Sequence, residues 1–297
     1  MATARVPDLP PGFIRSNQEE PDWLNALAEV LDSLSRRWGI VLQPHFPDIR
    51  INYVAPATRA DGTRCVLKVS RHFGETRNEI AALHLWDGRG AARLLEADPE
   101  LGALLLERIE PGTMLVDVAK IDDDAATLLA AGVLRELWKP VSEPHGLRSL
   151  DSWCAAYDRN RLALSRGASG FPADLFQRAD DLQQNLLAST RDPVALHGDL
   201  HHYNVLRSKN ADWLAIDPKG LLGDRCFDVC QFLRNPGPVP SGVNRRRLDI
   251  VCDELGLDRR RTKQWCFVHA ILDACWQFED QRSWQDTVAY AKDTISF

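Results

Sequence analysis

From Pro21 to Trp38 apolar residues recur at helical spacing, with Trp23, Leu24, Leu27, Leu31 and Leu34 on one side, which predicts an amphipathic helix. The stretch before it, residues 1 to about 20, is proline-rich and is expected to be loosely ordered. After Trp38 the period shortens. Ile51 to Ala55 and Arg64 to Ser70 read as two strands of a hairpin around an Asp61-Gly62 turn. Glu75 to Gly88 reads as a helix that Gly88 stops, and two further strands end near Glu107, the second of them the apolar run that begins at Gly102.

Beyond Gly112 the pattern turns helical. Asp122 to Trp138 carries Leu128, Leu129, Val133, Leu134 and Leu137 at helical spacing and stops at Lys139-Pro140. Leu150 to Leu164 and Ala173 to Leu187 repeat the style. A hairpin, Val205-Leu206 against Trp213 to Ile216, interrupts it, and Asp224 to Leu233, Arg246 to Leu255, Arg259 to Phe278 and Trp284 to Ile295 read as further helices. A small β-rich part followed by a larger helical part predicts an α+β protein.

Composition narrows the class. A chain of 297 residues with 44% apolar content can fill two cores, and a net charge of −6 disfavours a nucleic-acid partner. The clusters Arg245 to Arg247 and Arg259 to Arg261 flank amphipathic patterns and read as solvated faces. No run of roughly eighteen apolar residues occurs, so no membrane span is expected. Met1 to Gly12 lacks the apolar core of a secretion signal, which makes the cytoplasm the expected location. The seven cysteines form no CxxC pair and are expected to be reduced and mostly buried, without a zinc site.

The densest chemistry lies in Leu196 to Leu206, LHGDLHHYNVL, followed by Trp213-Leu-Ala-Ile-Asp217. Asp199 and Asn204 share one tight loop, and Asp217 ends a short apolar strand. Phosphoryl transfer asks for that set: a carboxylate to orient and deprotonate a hydroxyl, and two hard oxygen ligands to hold Mg²⁺ against phosphates. Asp199 is read as the catalytic base, Asn204 and Asp217 as metal ligands, and His197 as a brace of the loop rather than a base. Gly198 suits a backbone that turns sharply beside the carboxylate.

This loop resembles that of the aminoglycoside phosphotransferases, a branch of the protein-kinase-like fold. The runs Ile216-Asp-Pro-Lys-Gly-Leu-Leu-Gly-Asp224, Phe227-Asp-Val229 and Phe232-Leu-Arg-Asn-Pro236 resemble more narrowly the streptomycin and hydroxyurea kinases, and Pro218 stands where protein kinases carry Phe. The similarity runs from about residue 38 to about residue 280. It implies a bilobal protein-kinase-like fold with an N-terminal lobe over residues 1–108 and a helical C-terminal lobe over 109–297. It also implies ATP and Mg²⁺ as cofactors. Lys68 would reach the α- and β-phosphates, Glu79 or, one turn earlier, Glu75 would steady it, and backbone groups from Glu107 to Ile109 would bond the adenine edge. Two departures stand out: Pro47 to Tyr53, where kinases carry a Gly-rich loop, holds no glycine, and Tyr203 stands where the subfamily usually has Gly.

Aminoglycosides carry amino or guanidinium groups, so the acceptor pocket is expected to present carboxylates. Asp224, Asp228, Asp273 and Asp280 are the candidates, with Asp273, Gln277 and Asp280 on one helical face. Asp224 and Asp228 have a second reading as braces of the catalytic loop. The expected activity is O-phosphorylation of a small, cationic hydroxyl compound of the streptomycin type, with hydroxyurea or another small hydroxyl metabolite as the alternative acceptor. A nucleotide-binding scaffold without turnover is the third possibility. The oligomeric state is not legible in the sequence.

Overall fold

The computed structural model of the protein describes residues 9–143, 145–210 and 212–296; the first eight residues, and with them most of the stretch read for a secretion signal, lie outside it. Where a loose segment was expected, Pro11–Ser16 forms a short helix, α1. Pro11 opens it, because a fixed φ suits a first helical turn, and Phe13 is buried. The Asn17 side chain then donates to Phe13 O at 2.9 Å and Arg50 O at 3.1 Å, which ties α1 to a loop far along the chain. Helix α2 (Pro21–Trp38) buries Leu27, Leu31 and Leu34, as its periodicity predicts, and ends at Gly39 with φ of 60°.

Five antiparallel strands follow around one helix: β1 (Ile40–Leu42), β2 (Tyr53–Arg59), β3 (Arg64–Val69), α3 (Phe73–Trp86), β4 (Leu94–Asp98) and β5 (Ala103–Glu107), in spatial order β1-β2-β3-β5-β4. Strand β5 is apolar on both faces because both faces are covered. Ala103 and Leu105 pack with α2 in the smaller core, and Leu104 and Leu106 pack with Ala82, Leu83 and Trp86 of α3 in the larger one. That larger core continues without a break into the helical part of the chain.

The helical part runs β6 (Pro111–Met114), α4 (Leu115–Ala119), α5 (Asp123–Leu137), β7 (Arg148–Ser149), α6 (Leu150–Trp153), α7 (Ala156–Leu164), α8 (Ala173–Ala188), β8 (Val194–Leu196), β9 (Val205–Ser208), β10 (Trp213–Ala215), β11 (Leu221–Gly223), α9 (Arg225–Asp228), α10 (Cys230–Arg234), α11 (Ser241–Leu255), α12 (Arg259–Glu279) and α13 (Gln285–Ser296). Two small sheets, β10-β9-β6 and β7-β11-β8, carry the loops that matter for chemistry. Two helices expected to be continuous are each split, at Cys154-Ala155 and at Val229. Helix α11 begins at Ser241 rather than Arg246; its inward positions include Asn244 and Arg247, so apolar periodicity alone hides its first turn.

All seven cysteines are buried and unpaired. The arginine clusters are less solvated than expected. Arg247 is buried, with its Nε 2.9 Å from Asp123 Oδ2, and Arg261 pairs with the buried Asp224. Among the described residues no helix is long and apolar enough to cross a membrane.

Candidate active site

Lys68 lies on β3 between Val54 of β2 and Leu104 of β5, so its stem is fixed by the middle of the sheet. Its Nζ donates to both oxygens of Glu79 on α3, at 2.8 and 2.6 Å, and to Asp217 Oδ1. Glu79 is therefore the partner of Lys68. Glu75, the alternative one turn away, pairs instead with Lys219 at 3.5 Å. Burial works against charge on Lys68, but Asp217 and Glu79 outweigh it and hold the ammonium above its ordinary range. Against desolvation, Lys68 and then Lys219 hold Asp217 well below the usual carboxylate range. Asp217 has a left-handed backbone, φ of 61°, which is unusual outside glycine and here turns its carboxylate back toward Lys68.

The loop between β8 and β9 presents Asp199. Its carboxylate accepts the Gln231 Nε2–H at 3.0 Å, and burial raises its carboxyl above the ordinary value, with Lys219 opposing that rise most strongly. His197 Nε2 donates to Ile216 O at 2.9 Å while its Nδ1 accepts the Asp199 N–H at 3.2 Å, which fixes the tautomer. Burial lowers that imidazole to about 3, so it is neutral and braces the loop. At Gly198, φ is +80° and an added Cβ would lie 2.8 Å from Leu221 Cδ1, so the turn before Asp199 has neither the conformation nor the room for a side chain.

Two of the four carboxylates expected to meet an acceptor are spent inside the protein. Asp228 accepts the N–H groups of His197 at 3.0 Å and Gly198 at 2.6 Å and the Trp138 indole N–H at 3.0 Å. Burial raises it to about 6, the three donors pulling the other way. Asp224 caps α9 through Cys226 N–H and accepts from Trp265 Nε1 at 2.8 Å and from Arg261. Both are braces.

Asp273 and Asp280 do face a cavity, of about 390 Å³, that reaches Asp199, with Asp273 held by Arg234 at 2.5 Å and Gln277 at 3.0 Å and Asp280 by Arg282. Trp153, Gln231, His269, Trp276 and Glu279 complete its working wall, and none of them is marked by a local motif. Three buried polar atoms in that wall have no partner among the described residues: Trp153 Nε1, Gln231 Oε1 and His269 Nδ1. Unpaired buried donors and acceptors are costly unless a ligand or water satisfies them. Tyr203 does not take part in this wall; it is 46% exposed and meets His201 edge-on.

A second cavity, of about 420 Å³, opens on the other side of the loop. Val54, Val66 and Leu106 form one wall, Leu206 and Ile216 the other, and Lys68, Glu79, Asn204 and Asp217 its floor. Residues Glu107 to Gly112 close its back. The Glu107 N–H is bonded to Arg93 O and the Arg108 N–H to Arg64 O, so of residues 107–109 Ile109 is the one whose N–H is not used in those bonds, and the Glu107 carboxylate turns away to accept the Arg93 N–H. The glycine-free loop brings Asn52 to the cavity, with its Oδ1 buried and unpartnered among the described residues.

Residues 37–281 match the model of the aminoglycoside/hydroxyurea antibiotic resistance kinases. The chain belongs to this family. It is 34% identical to a streptomycin 6-kinase from Streptomyces glaucescens across 97% of each chain, and 36% identical to a hydroxyurea phosphotransferase from Kitasatospora aureofaciens across 86% of this chain and 73% of that one. The fold is similar to that of the choline kinase LicA from Streptococcus pneumoniae, with a TM-score of 0.67 over 92% of this chain and 100% of the other at 14% identity. The family kinase is thus bilobal and protein-kinase-like, as the loop resemblance implied.

Proposed function

We propose that this family kinase transfers the terminal phosphoryl group of ATP to a hydroxyl of a cationic, aminoglycoside-type acceptor. The observation that carries the reading is the position of Asp199, which stands between a cleft walled by aliphatic side chains with Lys68 at its floor and a second, polar cavity with unsatisfied buried atoms.

The purine would lie between Val54, Val66 and Leu206, with the Ile109 N–H on its edge and Lys68 on the phosphates. Mg²⁺ fits the donors present: the Asn204 nitrogen is bound to Asp199 O at 3.1 Å, which turns its Oδ1 free for a cation, and the Asp217 carboxylate is 43% exposed. No cluster of three His, Cys, Asp or Glu suited to a metal occurs among the described residues. Mg²⁺ needs none, because it takes one or two protein oxygens and completes its shell with water and phosphate. When bound it would neutralise phosphate charge. Asp199 accepts the proton of the acceptor hydroxyl as that oxygen attacks phosphorus, and Gln231 aims the carboxylate.

Five carboxylates line the acceptor cavity, and Glu75, Asp273, Glu279 and Asp280 are already paired with Lys219, Arg234, Arg159 and Arg282, so the cationic groups of an acceptor would take the place of these protein cations rather than meet free charge. Its size and its two tryptophans offer more surface than hydroxyurea can use, although the 36% identical hydroxyurea phosphotransferase keeps that acceptor as the second reading. Incubation with ATP, Mg²⁺ and a panel containing streptomycin, other aminoglycosides, hydroxyurea and small amino alcohols tests the choice. ADP release stimulated by an aminoglycoside and not by hydroxyurea is expected; stimulation by hydroxyurea alone supports the second reading, and stimulation by none contradicts both.

A further inference from the structure

The charge inventory around the transferring phosphoryl is incomplete with the residues named so far. Lys68 is committed to Glu79 and Asp217. The loop from His197 to Asn204 contains no lysine or arginine. His201, two residues after Asp199, is held neutral by burial and accepts the Tyr203 N–H through Nδ1 at 3.3 Å. The loop over the phosphates has no glycine and so lacks the close backbone approach that a Gly-rich loop permits. Yet a loose phosphoryl-transfer transition state spreads charge over three equatorial oxygens that the protein must meet with fixed positive charge.

We propose that Lys219 is the cation for the transferring phosphoryl group, held ready by Glu75 as a second lysine–glutamate pair beside Lys68–Glu79. Three observations carry this. Lys219 lines both the space in front of the glycine-free loop, with Asp217 and Asp199, and the acceptor cavity, again with Asp199, and among the described residues it is the only basic one common to the two. A phosphoryl group passing from nucleotide to acceptor crosses that junction. Next, its backbone is fixed rather than mobile. Pro218 restricts the φ before it, its N–H donates to His197 O at 2.7 Å, and Gly220 after it has φ of +62° with Asn78 O only 2.2 Å from where a Cβ would be. Finally, its restraint is light: Glu75 Oε2 is 3.5 Å away, whereas both Glu79 oxygens lie closer to Lys68, and its side chain keeps 26% exposure. A lysine held so loosely can swing to a phosphate that arrives, while the rigid backbone limits where it swings. The step itself is the transfer already described: the acceptor oxygen–phosphorus bond forms, the bond to the β-phosphate oxygen breaks, the hydroxyl proton goes to Asp199, and Lys219 stays protonated throughout.

The inference rests on the kinase reading, and binding measurements separate the two. Affinities of the full-length protein for Mg²⁺–AMP-PNP and Mg²⁺–ADP are measured by calorimetry for wild type, Lys219→Met and Lys219→Arg, with thermal unfolding recorded for each. Lys219→Met is expected to weaken AMP-PNP about 10-fold, roughly what one charge-assisted contact to the terminal phosphate supplies. ADP binding stays within about 2-fold, and Lys219→Arg recovers most of the difference. With a turned-over acceptor, kcat falls about 10²–10³-fold in Lys219→Met with the KM for ATP changed far less. Equal weakening of ADP and AMP-PNP, or no change in either, overturns the role of Lys219 while leaving the kinase reading intact. A wild-type protein that binds neither nucleotide removes both.

Discussion

Asp228 Oδ1 accepts the Gly198 N–H at 2.6 Å across 30 residues of sequence, so a carboxylate on a short helix fixes the backbone turn that presents Asp199. Asp228→Asn keeps the volume but replaces one acceptor by an NH₂ that faces N–H donors. A stability loss of about 1–3 kcal/mol and a fall in kcat are expected, read by urea unfolding and steady-state kinetics. Unchanged acceptor KM alongside the lower kcat distinguishes a brace from an acceptor contact.

Acid sensitivity follows from three buried neutral imidazoles. His197, His202 and His269 are each lowered by burial to about 3. A histidine whose folded pKa is depressed contributes stability that is complete above its unfolded value of about 6.5 and is lost as pH falls toward the folded value, because the unfolded chain binds the extra proton. Each costs about 2 kcal/mol by about pH 5. His202 stacks on Phe232 at 4.2 Å and neither of its ring nitrogens has a partner among the described residues. His202→Phe should therefore leave neutral stability nearly unchanged and reduce the stability lost between about pH 7 and about pH 5 by about 2 kcal/mol; urea unfolding at both pH values checks it, and an unaltered acid loss speaks against it.

Gly220 sets a steric limit. Gly220 and Gly198 are both left-handed, but an alanine Cβ at Gly220 would sit 2.2 Å from the Asn78 carbonyl oxygen of α3, whereas at Gly198 the nearest atoms belong to side chains, Leu221 Cδ1 at 2.8 Å and Lys219 Cβ at 3.0 Å. Gly220→Ala is expected to cost several kcal/mol and lower Tm sharply, and Gly198→Ala to keep more of the fold while losing activity. Thermal unfolding of the pair in parallel gives the order, and a milder effect at Gly220 contradicts the packing.

The acceptor wall is tested at Asp280, which is exposed and pairs with the nearby Arg282. Asp280→Asn is expected to raise the KM for a cationic acceptor several-fold, with the KM for ATP and the unfolding midpoint unchanged. An unchanged acceptor KM places the cation elsewhere in the cavity.

How much of this was legible in the sequence follows from the range of each interaction. That Asp199, Asn204 and Asp217 lie together was legible because one loop and the strand behind it carry all three. Lys68 and Glu79 could be matched because a strand and the next helix carry them. Asp224 and Asp228 could not be assigned, since their partners are backbone N–H groups and the side chains of Trp138, Trp265 and Arg261, all distant in the chain. Trp153, Gln231 and His269 come from three separate helices and share no spacing. Helix α1 was missed because prolines mark loose chain and helix starts alike, and the deciding contact, Asn17 to Arg50 O, is tertiary.

The central claim is that Asp199 activates an acceptor hydroxyl for attack on ATP. Mass analysis of streptomycin after incubation with ATP, Mg²⁺ and either wild type or Asp199→Asn addresses it most directly, with circular dichroism to show that both are folded. The account predicts streptomycin carrying one added phosphoryl group with wild type and a rate at least about 10²-fold lower with the variant. Comparable product from both proteins would contradict it.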